Sequence, residues 1–163
     1  MALDVVGRIR EQWREQHPDL DLTPIEVIGR VRRLAAITDQ RHDDDLDELK
    51  LSRMEFEVLS ALRRAGGGLR PSRLTKEMLS SGAATTKRLA RLEQDGLITR
   101  NPSTRDRREV DVRLTDRGRE VIDRVFPAQL ERERALLDPL TDEERTRLGE
   151  LLAKVLGPLD VAG

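Results

Sequence analysis

The stretch LEQDGLITRNPSTRDRREVDVRLTDRG, residues 92–118, changes its period midway, and that change decides the fold. Up to Asp95 the residues keep helical spacing, and Gly96 ends the helix. Residues 97–100 then take on β character, and Val110-Asp111-Val112-Arg113-Leu114 alternates strictly, the mark of a half-buried strand. Between them lies Asn101-Pro102-Ser103-Thr104-Arg105-Asp106-Arg107-Arg108, polar, turn-prone and loaded with arginine. The pattern predicts a hairpin with a basic tip.

Working outward, helix starts and stops are well marked. Ser52-Arg53-Met54-Glu55 and Thr141-Asp142-Glu143-Glu144 have the form of capping boxes. Thr23-Pro24-Ile25-Glu26 offers an N-cap, a proline at the first helical position and a glutamate placed to reach back to the cap. From these signals six or seven helices are expected. The first covers residues 3–16, with Leu3, Val6, Ile9 and Trp13 on one stripe, and Pro18 ends it. The second runs from Pro24 into Asp43-Asp44-Asp45, with Ile28, Val31, Leu34 and Ile37 nearly in register. The third covers 53–65 and stops at Gly66-Gly67-Gly68. A short helix, 72–78, and another, from Gly82 to Asp95, flank the turn Ser80-Ser81-Gly82. After the hairpin, helices are expected over 116–137 and 142–156. The organisation read from this is N-terminal helices over 1–50, a lobe over 51–115 and C-terminal helices over 116–163, all one structural domain.

Composition narrows the function. The chain has 163 residues, 37% of them charged and only 2% aromatic, which suits a mainly helical protein. It has no cysteine, so disulfides, thiolate-held metals and thiol redox sensing are excluded. No run of about 18 apolar residues exists to span a membrane, and the acid-bearing N-terminus is unlike a signal peptide; the expected location is the cytoplasm. The net charge of -1 conceals an asymmetry. Residues 70–113 hold eleven Lys/Arg against six Asp/Glu, whereas the remainder holds nineteen against twenty-five. A basic segment on an acidic scaffold fits a reader of nucleic acid.

Helix, turn, helix and basic hairpin, in that order, make a winged helix-turn-helix, a mainly α fold with a small β-hairpin wing. The second helix of such a unit enters the major groove of double-stranded DNA. At 100° per residue, Gly82, Thr85, Leu89 and Leu92 share one stripe and are expected to face the core. The opposite side carries Ala83, Ala84, Lys87, Arg91 and Gln94. Small residues let the backbone approach the bases, and Lys87 and Arg91 reach guanine edges or phosphates. Ser72 and Arg73 on the bracing helix and Thr86 complete the expected DNA-facing set there. At the hairpin tip, Arg105, Asp106, Arg107 and Arg108 are the expected wing contacts. Arg108 suits a narrow minor groove, and Asp106 is placed to orient its guanidinium. A solvated charged face is the plainer reading of the same residues.

LEQDGLITR followed by DRREVDVRLTDRG resembles the winged-helix signature of the MarR family. WREQHPDLDLTPIEVIGRVRRL, SRMEFEVLSALRRAG and RERALLDPLTDEE resemble its PecS-type, urate-responsive branch, with the helix ending in HPDLD as the branch-specific part. The resemblance implies a homodimer joined through N- and C-terminal helices and binding to pseudo-palindromic operators. It also implies repression, relieved by a small ligand. Carried over by resemblance, an anion pocket falls on Trp13, Arg88, Arg100 and Glu57, where the branch has an aspartate. Two guanidiniums and a flat indole fit a planar or anionic effector, urate or a di- or tricarboxylate. A salt-bridge network around a packed Trp13 is the alternative reading of the same four residues.

Other functions find little support. There is no nucleophile with a histidine partner, and Gly66-Gly67-Gly68 lacks the Lys and Ser/Thr of a phosphate loop, so no enzyme and no cofactor are expected. His17 and His42, with no cysteine, do not suggest a metal site. A winged-helix module that binds protein without specific DNA binding is the rival to a DNA-binding regulator.

Overall fold

The computed structural model describes residues 3–102 and 110–161, with backbone alone for 40–45, 47 and 161. Two compact units emerge, residues 1–50 and 51–163. The first holds α1 (Val5–Gln16), α2 (Thr23–Leu46) and a 3₁₀ turn (Asp47–Leu49). Asp4 caps α1, accepting from the Gly7 N–H at 2.6 Å, and its carboxylate also takes the Arg30 guanidinium of α2 at 2.8 Å. These contacts, reinforced by the partners' charges, hold the Asp4 carboxyl below its ordinary pKa, with the Gly7 N–H the leading cause. Gly29 lets the helices close: a Cβ there would stand 2.9 Å from Val6 Cγ1.

One local expectation needs correcting. The start of α2 is closed by Leu22, whose carbonyl accepts from the Ile25 and Glu26 N–H groups, while Asp21 accepts from the Thr23 N–H at 3.0 Å. Glu26 does not reach back to Thr23. Its carboxylate is taken by Arg10 of α1 at 2.9 Å and by Arg30, one turn along α2, at 3.5 Å, because these charged partners outcompete one backbone N–H.

The second unit begins with α3 (Arg53–Ala65), whose expected capping box is formed by Ser52 and Glu55. Gly66 ends α3 at φ 64°, where a residue without Cβ is favoured. Then follow α4 (Pro71–Glu77), α5 (Gly82–Gln94), the antiparallel strands β1 (Ile98–Pro102) and β2 (Val110–Leu114), α6 (Asp116–Leu136) and α7 (Asp142–Val161). Leu69 adds a one-residue bridge to β2 by exchanging both backbone hydrogen bonds with Val112, at 3.0 and 2.9 Å, which the sequence pattern did not foretell.

The core of this unit is Val58, Leu59, Leu62, Leu74, Leu89, Leu92, Ile98, Val112 and Ile122, all essentially sealed from solvent. Each such side chain contributes roughly 1.5–3 kcal/mol relative to exposure. Two devices tie α6 to the hairpin. Thr115 caps α6 while its hydroxyl donates to the Gly96 carbonyl at 2.8 Å, and Gly118 lies so close to Leu97 that a Cβ would fall 2.0 Å from its carbonyl oxygen. No helix among the described residues is long and apolar enough to cross a membrane.

Candidate nucleic-acid interface

The packing of α5 decides what it presents. Thr85, Leu89 and Leu92 are buried, as their shared stripe requires. Gly82, expected on that stripe, is instead exposed: it opens the helix, and the first turn stands clear of the core. Ser81 caps α5, accepting from the Ala84 N–H at 3.2 Å. Behind the first turn the Thr85 hydroxyl lies 3.0 Å from that of Thr75 and 2.8 Å from that of Ser80, so its polar group is satisfied inside the unit. This knot locks α4 against α5. The turn between them passes through Leu79, at φ 47° and 91% exposed.

Facing away from the core, Ala83 and Lys87 are exposed and Ala84 is half-buried. Lys87 has no ion-pair partner among the described residues. Thr86 is exposed, its hydroxyl donating to the Gly82 carbonyl at 2.8 Å, and Ser72 and Arg73 are exposed on α4. The structure thus brings Ser72, Arg73, Ala83, Thr86 and Lys87 to the surface of the helix-turn-helix. Arg105, Asp106, Arg107 and Arg108 lie outside the described residues.

Two ion pairs flank α5. On one side Glu93 pairs with Arg100 of β1, whose Nε donates at 2.7 Å, and the guanidinium holds the Glu93 carboxyl below its ordinary pKa. On the other side Arg91 Nε lies 3.4 Å from Oε1 of the buried Glu55 of α3, and 3.9 Å from Asp95. Sequence reading took Glu55 only as a helix cap. Its second oxygen and its burial are tertiary facts with no local signature.

The four residues of the expected anion pocket stand as follows. Glu57 pairs with Arg53 at 2.7 Å, and Arg100 is engaged by Glu93. Arg88 is half-buried, with Nη1 shielded from solvent and lacking an acceptor among the described residues. Helical geometry sets Arg88 about 140° from Glu93 around α5, so Arg88 and Arg100 leave from different flanks. Trp13 belongs to the other unit, where it stacks on His17 with ring centroids 5.5 Å apart. Cavities of about 150 and 250 Å³ in the second unit are lined from α3, β2 and α6, by groups that include Arg63, Arg113, Ile122 and Phe126, and not by Glu57, Arg88 or Arg100. No cluster of His, Asp or Glu fit for a metal occurs among the described residues, and the His42 side chain lies outside them.

Comparison with known proteins settles the lineage. The family model described as the MarR family matches residues 51–110. Over 152 residues the chain is 40% identical to the HTH-type transcriptional regulator PecS of Dickeya dadantii, covering 92% of each. The chain belongs to the MarR family. Within it the likeness to PecS places it with the PecS-type regulators, and its curated relatives are transcriptional regulators rather than enzymes. Among solved MarR-family structures, a mutant of MarR from E. coli complexed with operator DNA is 28% identical, with a TM-score of 0.72 over 84% of this chain and 99% of that one. The transcriptional regulator SlyA superposes with a TM-score of 0.77 over 83% of this chain and 95% of that one; at 16% identity it shows the shared fold alone.

Proposed function

We propose that this MarR-family regulator is a repressor that binds a pseudo-palindromic operator as a homodimer, with α5 in the major groove and the wing at the minor groove. The observation that carries this reading is the outward side of α5: small Ala83 and Lys87, which has no ion-pair partner among the described residues, stand exposed on a helix braced from both flanks. The likeness to a MarR mutant complexed with operator DNA supports operator binding. A protein that works on the chromosome acts in the cytoplasm.

The dimer reading draws on α7. Leu148, Leu151, Val155, Leu156 and Leu159 are 38–66% exposed, although they form an apolar seam. Most of a helix's stability in a protein comes from packing its apolar face rather than from propensity, so this seam calls for a partner. A second copy of α6 and α7 supplies one, leaving two lobes to engage half-sites about one helical turn, roughly 10 bp, apart. The effector reading rests on the PecS-type likeness and on Arg88, whose shielded Nη1 fits a small anion, urate or a di- or tricarboxylate. A ligand there weakens DNA binding by favouring a second setting of α5.

A mobility shift on the chain's own upstream intergenic DNA tests the core of this proposal. Lys87→Ala is expected to lose at least tenfold in affinity with the dimer intact. Affinity equal to the parent's would remove α5 from the major groove and favour a protein-binding winged helix. Urate and citrate, added to the same complex, test the effector. Release that survives Arg88→Ala would move the pocket elsewhere.

A further inference from the structure

Glu55 is 3% exposed, a carboxylate that a helix cap does not need to bury. Its Oε2 accepts from both the N–H and the hydroxyl of Ser52, each at 2.8 Å, which accounts for the cap. Its Oε1 turns the other way, 3.4 Å from Arg91 Nε on α5. A buried charge is tolerable only with compensation, and the guanidinium supplies it here.

Arg91 itself is 54% exposed along its side chain, about 40° around α5 from Lys87. It therefore stands at the edge of the proposed DNA-reading side. Asp95 also lies near Arg91 but is farther, at 3.9 Å, and half-exposed, where water screens the attraction. Of these two carboxylates the nearer one is buried inside the fold.

We infer that Glu55 is an internal competitor for DNA phosphate, holding Arg91 against α3 and so limiting the number of backbone contacts that the recognition helix makes. The inference rests on the reading of α5 as the DNA-binding helix. Glu55 is a positioning residue: it acts on DNA only through Arg91. Binding then includes an exchange, in which a phosphate contact by Arg91 requires that the buried carboxylate give it up. The net charge of the basic segment overstates the charge available to the operator.

Salt dependence reads this directly, because each phosphate neutralised steepens the slope of log affinity against log salt by about 0.9. Glu55→Gln keeps the size and a capping-box residue while removing the charge. It is expected to steepen the operator slope by about 0.9 per subunit and to raise affinity at low salt. The same substitution placed on an Arg91→Ala background is expected to add no steepening. Were Glu55→Gln not to fold, Glu55→Met, which replaces the buried ion by an apolar chain of similar volume, gives the same readout. A cap with no wider role would lower thermal stability and leave the slope as it was, and that result overturns the inference while DNA binding stands. A parent protein with no salt-dependent operator binding overturns the DNA reading and the inference with it.

Discussion

The lobe from α3 to β2 and the final helix α7 are written in the same style, amphipathic helices with a capping box at the start of α3 and of α7, yet they end in opposite states. In the lobe Val58, Leu59, Leu74, Leu89 and Leu92 are at most 1% exposed. Among the described side chains of α7 none is buried, and Leu148, Leu151, Val155, Leu156 and Leu159 remain open. Hydrophobic pattern is therefore necessary for a core but does not say whose core it is. The lobe completes its own within one chain. α7 carries an unanswered seam, and in the proposed dimer its stability is a property of two chains.

Substitution at matched leucines gives the largest contrast. Leu89→Ala leaves a cavity in a closed core and is expected to cost about 2–5 kcal/mol in denaturant-induced unfolding, independent of protein concentration. Leu151→Ala is expected to change the unfolding of the lobe by less than about 0.5 kcal/mol but to weaken the dimer measured by sedimentation or dilution. A concentration-independent loss at Leu151 as large as that at Leu89 would break the comparison, since it would mean that α7 is packed within its own chain.

The two capping boxes sharpen the comparison at finer scale. Ser52 donates to and accepts from a Glu55 that is also tied to α5, whereas Thr141 and Glu144 exchange the same bonds, at 2.8 and 3.2 Å, on an exposed helix start. Removing either hydroxyl with alanine is expected to cost about 1 kcal/mol locally. Only Ser52→Ala should register fully in the cooperative unfolding of the lobe. Thr141→Ala should show as fraying of α7, detected by faster amide exchange in its first turn. Equal effects on lobe unfolding would mean that α7 and the lobe melt as one unit.

These boxes also mark what was legible in the sequence. Ser52, Thr141, the Gly66 stop and the hairpin were readable because each is decided within a few residues by backbone chemistry. The start of α2 was misread at Thr23 because Glu26 found Arg10, sixteen residues away. The bridge at Leu69, the Glu93–Arg100 pair and the second oxygen of Glu55 were invisible for the same reason. They depend on which elements the chain brings together, and no local spacing encodes that. The expected DNA face of α5 fell between these cases. Its outward residues followed from helical period, but the engagement of Arg91 by Glu55 did not.

Acid separates the regions by another route. The Asp123 carboxyl is held below its ordinary pKa first by hydrogen bonding to Arg63, joining α3 to α6 at 2.7 Å, and Glu93 is likewise held by Arg100. A depressed folded pKa contributes stability that is present above the unfolded value and lost as pH falls through the folded one. Lobe stability is therefore expected to decline below about pH 4, the ordinary carboxylate range. Asp123→Asn should flatten that decline. A pH profile unchanged by this substitution would show that the α3–α6 pair is too exposed to matter.

The smallest expected effect concerns the leucine that breaks the lobe's own rule. Leu79 is 91% exposed in the turn between α4 and α5, and its φ of 47° is a conformation disfavoured for a branched side chain. Asparagine accepts this region more readily, so Leu79→Asn is expected to stabilise the lobe by about 0.5 kcal/mol, seen as a higher denaturant midpoint at unchanged m. Dimer dissociation should not move, the reverse of the pattern at Leu151. If Leu79→Asn instead loosened the dimer, the apolar seam would extend beyond the terminal helices to the turn that carries α5. The two regions would then have to be treated as one surface.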